Sequence, residues 1–186
     1  CLIIAPWNYP FNLAINPLIH AISAGNAVIL KPSELSPNTS AYIKKMITHL
    51  FDKSEVAVFE GDASVSTYLL DQRFDHIFFT GSPAIGKIVM RAASKYLTSV
   101  TLELGGKSPA IVGPEVDLMS SVQKMAWGKF LNNGQTCIAP DYVFVHEKVA
   151  FSFMEAMETT VQAFYNKENK GISASDDYAR IVNERH

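Results

Sequence analysis

Short apolar runs alternate with longer amphipathic stretches from Cys1 to Tyr96. Cys1-Leu2-Ile3-Ile4-Ala5 is apolar throughout, as a strand buried on both faces must be. Pro6 ends it, and Trp7-Asn8-Tyr9-Pro10 predicts a turn. Phe11 to Ala24 is apolar on most faces and predicts a buried helix, disturbed at Pro17 and stopped by Gly25-Asn26. Ala27-Val28-Ile29-Leu30 predicts the next strand, entering Lys31-Pro32-Ser33-Glu34. Ser36 stands where it can cap a helix, with Pro37 in the first position and an end near Leu50. Val56 to Phe59 predicts a third strand, Ser64 to Gln72 a short helix, and Asp75 to Thr80 a fourth strand. Gly81 then opens a turn into a helix from Pro83 to about Tyr96.

Four strand–helix alternations at this spacing predict an α/β fold: a doubly wound, mostly parallel, Rossmann-like sheet covered on both faces. Ligands of such sheets collect at the carboxyl ends of the strands. Asn8, Lys31, Glu34, Gly81 and Ser82 all fall at such ends. After Tyr96 the rhythm changes. Val100 to Leu104 and Ala110 to Val112 read as strands, Leu118 to Leu131 as an amphipathic helix, Tyr142 to Val145 as a strand and Val149 to Tyr165 as a helix. Residues 1–104 are therefore expected to form one domain and residues 105–186 the beginning of a second α/β domain. The tail from Lys167 to Asp177 reads as loop.

The composition agrees with a packed core. Hydrophobic residues make up 48% of the 186 and charged residues 18%, which excludes wholesale disorder. A net charge of −2 without a basic run gives no electrostatic case for nucleic acid. The first residues lack an initiator Met and a charged n-region, and the last stop mid-pattern, so an internal piece of a longer chain is expected. Two cysteines without framework spacing predict free thiols and a reducing compartment, hence the cytoplasm. The five histidines are scattered and none pairs with another ligand at metal-site spacing. His76, within a strand, reads as a packed core histidine.

Three residues could carry chemistry. Cys137, in Gly134-Gln135-Thr136-Cys137, lies on a glycine-containing turn between a helix and a strand. It reads equally as buried filler or as a nucleophile, which would need its thiolate favoured by nearby positive potential or backbone N–H groups. Glu103 sits between Leu102 and Leu104 ahead of Gly105-Gly106. A carboxylate in an apolar wall suits a general base, although strand alternation equally permits it to face solvent. Asn8 is an ordinary turn residue or an amide donor to a developing oxyanion. Lys31 and Glu34 could grip the hydroxyls of a ribose, or belong to a solvated loop. Gly81-Ser82-Pro83-Ala84-Ile85-Gly86-Lys87 fails the dinucleotide fingerprint at Pro83 and the P-loop at Ile88. What remains is a glycine turn at a helix N-terminus, which favours an anion. A P-loop-like nucleotide hydrolase and a non-catalytic nucleotide-binding module stay open as alternatives.

Five stretches occur together in one order: Pro6-Trp7-Asn8-Tyr9-Pro10, Lys31-Pro32-Ser33-Glu34, Phe79-Thr80-Gly81-Ser82, Glu103-Leu104-Gly105-Gly106-Lys107 and Gly134-Gln135-Thr136-Cys137. In this they resemble the aldehyde dehydrogenase superfamily, and Ile138-Ala139-Pro140-Asp141-Tyr142 resembles its class 3 branch. The resemblance implies that Cys137 attacks an aldehyde, that Asn8 and the Cys137 backbone N–H stabilise the oxyanion, and that Glu103 activates water to hydrolyse a thioester. It implies NAD as cofactor, with NADP possible, held by Lys31, Ser33, Glu34, Gly81, Ser82, Gly86, Leu104 and Gly105. Glu34 beside the 2′-hydroxyl would disfavour a 2′-phosphate, although the class 3 branch accepts both cofactors. The presence of Glu103 implies hydrolysis rather than transfer to coenzyme A. A small-molecule aldehyde as substrate and a homodimeric parent are further implications, and no metal is expected. The family's nicotinamide-ribose carboxylate, exchanging strand and any C-terminal membrane tail would lie outside these residues, so the 186-residue piece alone is expected to be inactive.

Overall fold

The computed structural model describes residues 1–186 and divides them into two compact units, Cys1–Gly105 and Gly106–His186. The first unit holds five strands, β1 (Leu2–Ile4), β2 (Val28–Lys31), β3 (Val56–Val58), β4 (His76–Gly81) and β5 (Ser99–Leu104). Four helices intervene: α1 (Asn12–Ser23), α2 (Pro37–Leu50), α3 (Ala63–Leu70) and α4 (Pro83–Ser94). Every strand pair is parallel, in the order β3-β2-β1-β4-β5. This is the Rossmann-like arrangement that the strand–helix alternation predicts.

Period-2 alternation decides what each strand residue meets. Ile3 and Leu30 pack with Ala14, Leu18, Ile43 and Ile47 of α1 and α2. Leu2, Ile4, Ile77 and Phe79 pack with Leu69, Leu70, Val89 and Ala93 of α3 and α4. Helices thus cover both faces, and central β1 is buried at all three positions, which explains its unbroken apolar run.

The strand order reverses at β1. The chain moves outward from β1 through β2 to β3, then returns to β4 on the other side of β1. The crevice between the carboxyl ends of β1 and β4 is therefore the topological switch point, where such sheets bind ligands. The Asn8 turn follows β1 and the Gly81-Ser82 turn follows β4.

The second unit is built on a parallel pair, β6 (Ser108–Val112) and β7 (Pro140–Val145), joined through α5 (Leu118–Phe130) and followed by α6 (Ala150–Tyr165). Val112, Val122 and Phe153 form its buried centre. Asp117 caps α5 by accepting the Ser120 N–H.

Three local expectations change. The α1 helix runs through Pro17 without interruption. Ser36 does not cap α2 with its side chain; its hydroxyl donates instead to the Ser33 carbonyl at 3.3 Å. His76 is half-buried and bridges β4 to β5, its Nδ1 2.7 Å from Ser99 Oγ and its Nε2 3.1 Å from Thr101 Oγ1. Its strand lies beside the edge strand, whose hydroxyls reach it before any core does.

The end of α4 carries a strained residue. The Thr98 N–H donates to the Ala93 carbonyl at 3.1 Å, closing a reversed turn around Leu97 at φ 55°. Leu97 is 93% exposed and packs on little, so nothing repays the left-handed backbone. Leu97→Gly is expected to raise stability by about 0.5–1 kcal/mol, read as a higher urea midpoint at constant slope; a lower midpoint would refute the strain.

Candidate active site

Lys31, the last residue of β2, is only 2% exposed, and its Nζ donates to Glu34 Oε2 at 2.6 Å. An ammonium is tolerated at that depth because a carboxylate meets it. The Glu34 side chain is 42% exposed, so its carboxylate stays open to a polar ligand. Ser33 is buried; its Oγ accepts the Leu35 N–H at 3.2 Å, and its carbonyl accepts the Ser40 hydroxyl at 2.7 Å. Sequence reading passed over Ser40, whose signal was a polar residue at helical spacing with Ile43 and Ile47 on the buried face of α2. Ser40 anchors the loop so that Lys31 and Glu34 keep their geometry.

Glu34→Gln removes the charge opposite a buried ammonium. Because water reaches Glu34, the cost is expected at about 1–2 kcal/mol, below that of a fully enclosed pair. Urea unfolding of the variant checks it, and an unchanged midpoint would mean that the pair contributes nothing.

At the switch point, Ser82 caps α4 by accepting the Ile85 N–H at 3.4 Å, with Pro83 in the first turn. Gly86, one turn on, is buried against β5: a Cβ there would come 2.9 Å from Leu104 Cδ2. The glycine lets helix and strand approach at this corner. A Cβ on Gly105 would meet nothing within 4 Å, so the backbone there is open to a ligand.

Glu103 differs from the expectation of an apolar wall. It is exposed on β5, whereas Val100, Leu102 and Leu104 pack against the core under α4. Since β5 is an edge strand of this sheet, alternation turns Glu103 away from that core. Asn8 is half-buried in the turn after β1. Asn8, Lys31, Ser33, Glu34, Gly81, Ser82, Glu103, Leu104 and Gly105 thus share the carboxyl edge of one sheet, with Gly86 one turn behind it.

Cys137 belongs to the second unit. It is half-buried, unbridged, and sits in a turn closed by the Ala139 N–H donating to the Thr136 carbonyl at 3.2 Å. A Cβ on Gly106 would lie 3.3 Å from the Cys137 carbonyl oxygen, so Gly106 lets the backbone pass closely beside the turn. No helix is long and apolar enough to cross a membrane.

The family model for the aldehyde dehydrogenase family matches residues 1–184. The chain belongs to the aldehyde dehydrogenase family. It is 51% identical over its whole length to aldehyde dehydrogenase family 3 member A2 of Macaca fascicularis, covering 38% of that protein. It is 48% identical to the dimeric NADP-preferring aldehyde dehydrogenase of Mus musculus, covering 40% of it. The substrate-bound state of Staphylococcus aureus AldH superposes with a TM-score of 0.92 at 48% identity, over 100% of this chain and 40% of that one. The chain thus spans about two fifths of the length of these aldehyde dehydrogenases. The resemblance to the class 3 branch agrees with these relatives.

Proposed function

We propose that residues 1–186 supply the cofactor-binding domain and the thiol-bearing part of an enzyme that oxidises an aldehyde to a carboxylic acid with NAD or NADP. The observation that carries this reading is the family match over residues 1–184, with the thiol, amide and carboxylate of the five motifs all inside it.

The first unit suits a dinucleotide. The half-exposed Glu34 carboxylate, backed by buried Lys31, can accept from the hydroxyls of a ribose. The N-terminus of α4, at Ser82, favours a pyrophosphate through its helix dipole. Gly81 and Leu104 end the neighbouring strands β4 and β5, Gly86 lets α4 approach Leu104 closely, and Gly105 leaves the backbone open. Negative charge at Glu34 favours a free 2′-hydroxyl, while the mouse relative's name, NADP-preferring, keeps the phosphorylated cofactor within reach. Both cofactors are therefore proposed.

Chemistry begins with the Cys137 thiolate adding to the aldehyde carbonyl carbon, forming a C–S bond and placing the carbonyl electron pair on oxygen. The Asn8 amide N–H₂ and the Cys137 backbone N–H donate to that oxyanion. When bound, the dinucleotide supplies the hydride acceptor that converts the thiohemiacetal into a thioester. Glu103 takes a proton from water, the hydroxide adds to the thioester carbonyl, and the C–S bond breaks to release the acid and restore the thiolate. A homodimer is proposed by analogy with the relative named dimeric.

The test is stoichiometric. The purified enzyme carrying this chain should form one reduced dinucleotide and one carboxylic acid per aldehyde consumed, without added metal. Absence of turnover with short, long and aromatic aldehydes and both cofactors would defeat the reading.

A further inference from the structure

The turn presenting Cys137 is closed by its own backbone, the Gln135 N–H donating to the Asn132 carbonyl at 3.1 Å and the Ala139 N–H to the Thr136 carbonyl at 3.2 Å, but that backbone is strained. Asn132 and Asn133 lie at φ 52° and 53°, and Gly134 at 73°, three left-handed residues in succession. Asparagine and glycine tolerate this region best, yet a run of three needs outside support to persist. Three hydrogen bonds with a distant segment supply it. Gln135 Nε2 donates to the Asn132 carbonyl at 2.9 Å and to the Arg180 carbonyl at 3.1 Å. Its Oε1 accepts the Val182 N–H at 3.0 Å. Tyr178 Oη donates to Asn133 Oδ1 at 2.6 Å.

That segment is itself anchored. The Tyr178 ring lies 5.0 Å from Tyr165, which meets Phe130, the last residue of α5, edge-on at 6.3 Å. Burial, and then the neighbouring Tyr178, push the Tyr165 hydroxyl pKa up. Arg180 Nη2 donates to the carbonyls of Ser173 and Ser175 at 2.8 and 3.1 Å, folding the segment on itself. The α5 helix ends, the left-handed turn begins, and the returning chain covers both.

We propose that residues Tyr178 to Val182 form a clamp that sets the position of the Cys137 thiol, with Gln135 and Tyr178 as its positioning residues. The proposal rests on Cys137 being the nucleophile. Gln135 stands two residues before it, and its amide holds both the Arg180 carbonyl and the Val182 N–H, so rotation of the turn away from the segment would break both bonds together. A reacting sulfur displaced by about 1 Å loses roughly a hundredfold in rate.

Gln135→Met and Tyr178→Phe keep side-chain volume and delete only hydrogen bonding. In the enzyme carrying this chain, kcat per folded molecule should fall about 10- to 100-fold for Gln135→Met and several-fold for Tyr178→Phe. KM for the dinucleotide should stay within about twofold, because its proposed ligands belong to the other unit. A structural role alone would lower the thermal midpoint and leave kcat per folded molecule unchanged; that result overturns the clamp. If neither variant folds, hydrogen exchange on the wild type decides: protection of the Val182 amide comparable to α5 supports the clamp, and exchange at the rate of unstructured chain overturns it. A wild type that turns over no aldehyde defeats the enzymatic reading instead, so the two failures are distinct.

Discussion

Cys137→Ala is expected to abolish aldehyde oxidation, with kcat/KM down by a thousandfold or more. The effect is large because no other group can form the covalent intermediate: the only other thiol, Cys1, starts the strand-like run that begins the other unit. Dinucleotide affinity should be unchanged, since Lys31, Glu34 and the α4 terminus are distant in sequence and belong to the first unit. Stability should change little at a half-buried turn position. The measurement is initial rate against aldehyde, paired with fluorescence titration of the dinucleotide. A variant retaining a tenth of wild-type activity would remove Cys137 from the mechanism. Electrophile labelling offers an independent check: Cys137 should react at one equivalent per chain and faster than Cys1.

Glu103→Gln is expected to separate the two halves of the reaction. In the proposed reaction thioester formation does not use the carboxylate, so a burst of about one reduced dinucleotide per site should survive. Hydrolysis needs the base, so steady-state turnover should fall by roughly 10²- to 10⁴-fold. The exposed position of Glu103 makes this a clean test, because an isosteric change on the open face of an edge strand should move stability by no more than about 0.5 kcal/mol. Rapid-mixing kinetics resolve burst from steady state. Equal loss of both phases would assign Glu103 to thiol activation rather than to deacylation, and no loss in either would exclude it as the base.

Much of this was legible along the chain. The strand β1 could be read from five apolar residues ended by proline, and α4 from a glycine turn with Ser82 and Pro83 at its start. These signals are local: strand and helix periodicity, and the rigidity of proline, act within a few residues. The five motifs and their order were likewise visible, and the family match spans them all.

Other features were hidden because they depend on who becomes whose neighbour. That Glu103 faces outward follows from β5 lying at the sheet edge, and that His76 meets Ser99 and Thr101 follows from the β4–β5 register. The Lys31–Glu34 bond needed the intervening backbone to curl, which Ser40, on the buried side of α2, braces by donating to the Ser33 carbonyl. The Gln135 amide reaches partners 45 and 47 residues away, a separation that no local pattern encodes. Composition and periodicity therefore settle which segments are strands and helices and which residue types can do covalent chemistry, because those properties reside in each short stretch. Strand order, the orientation of each polar side chain and the bracing of the Cys137 turn arise only on folding, because they are contacts between stretches that the chain keeps far apart.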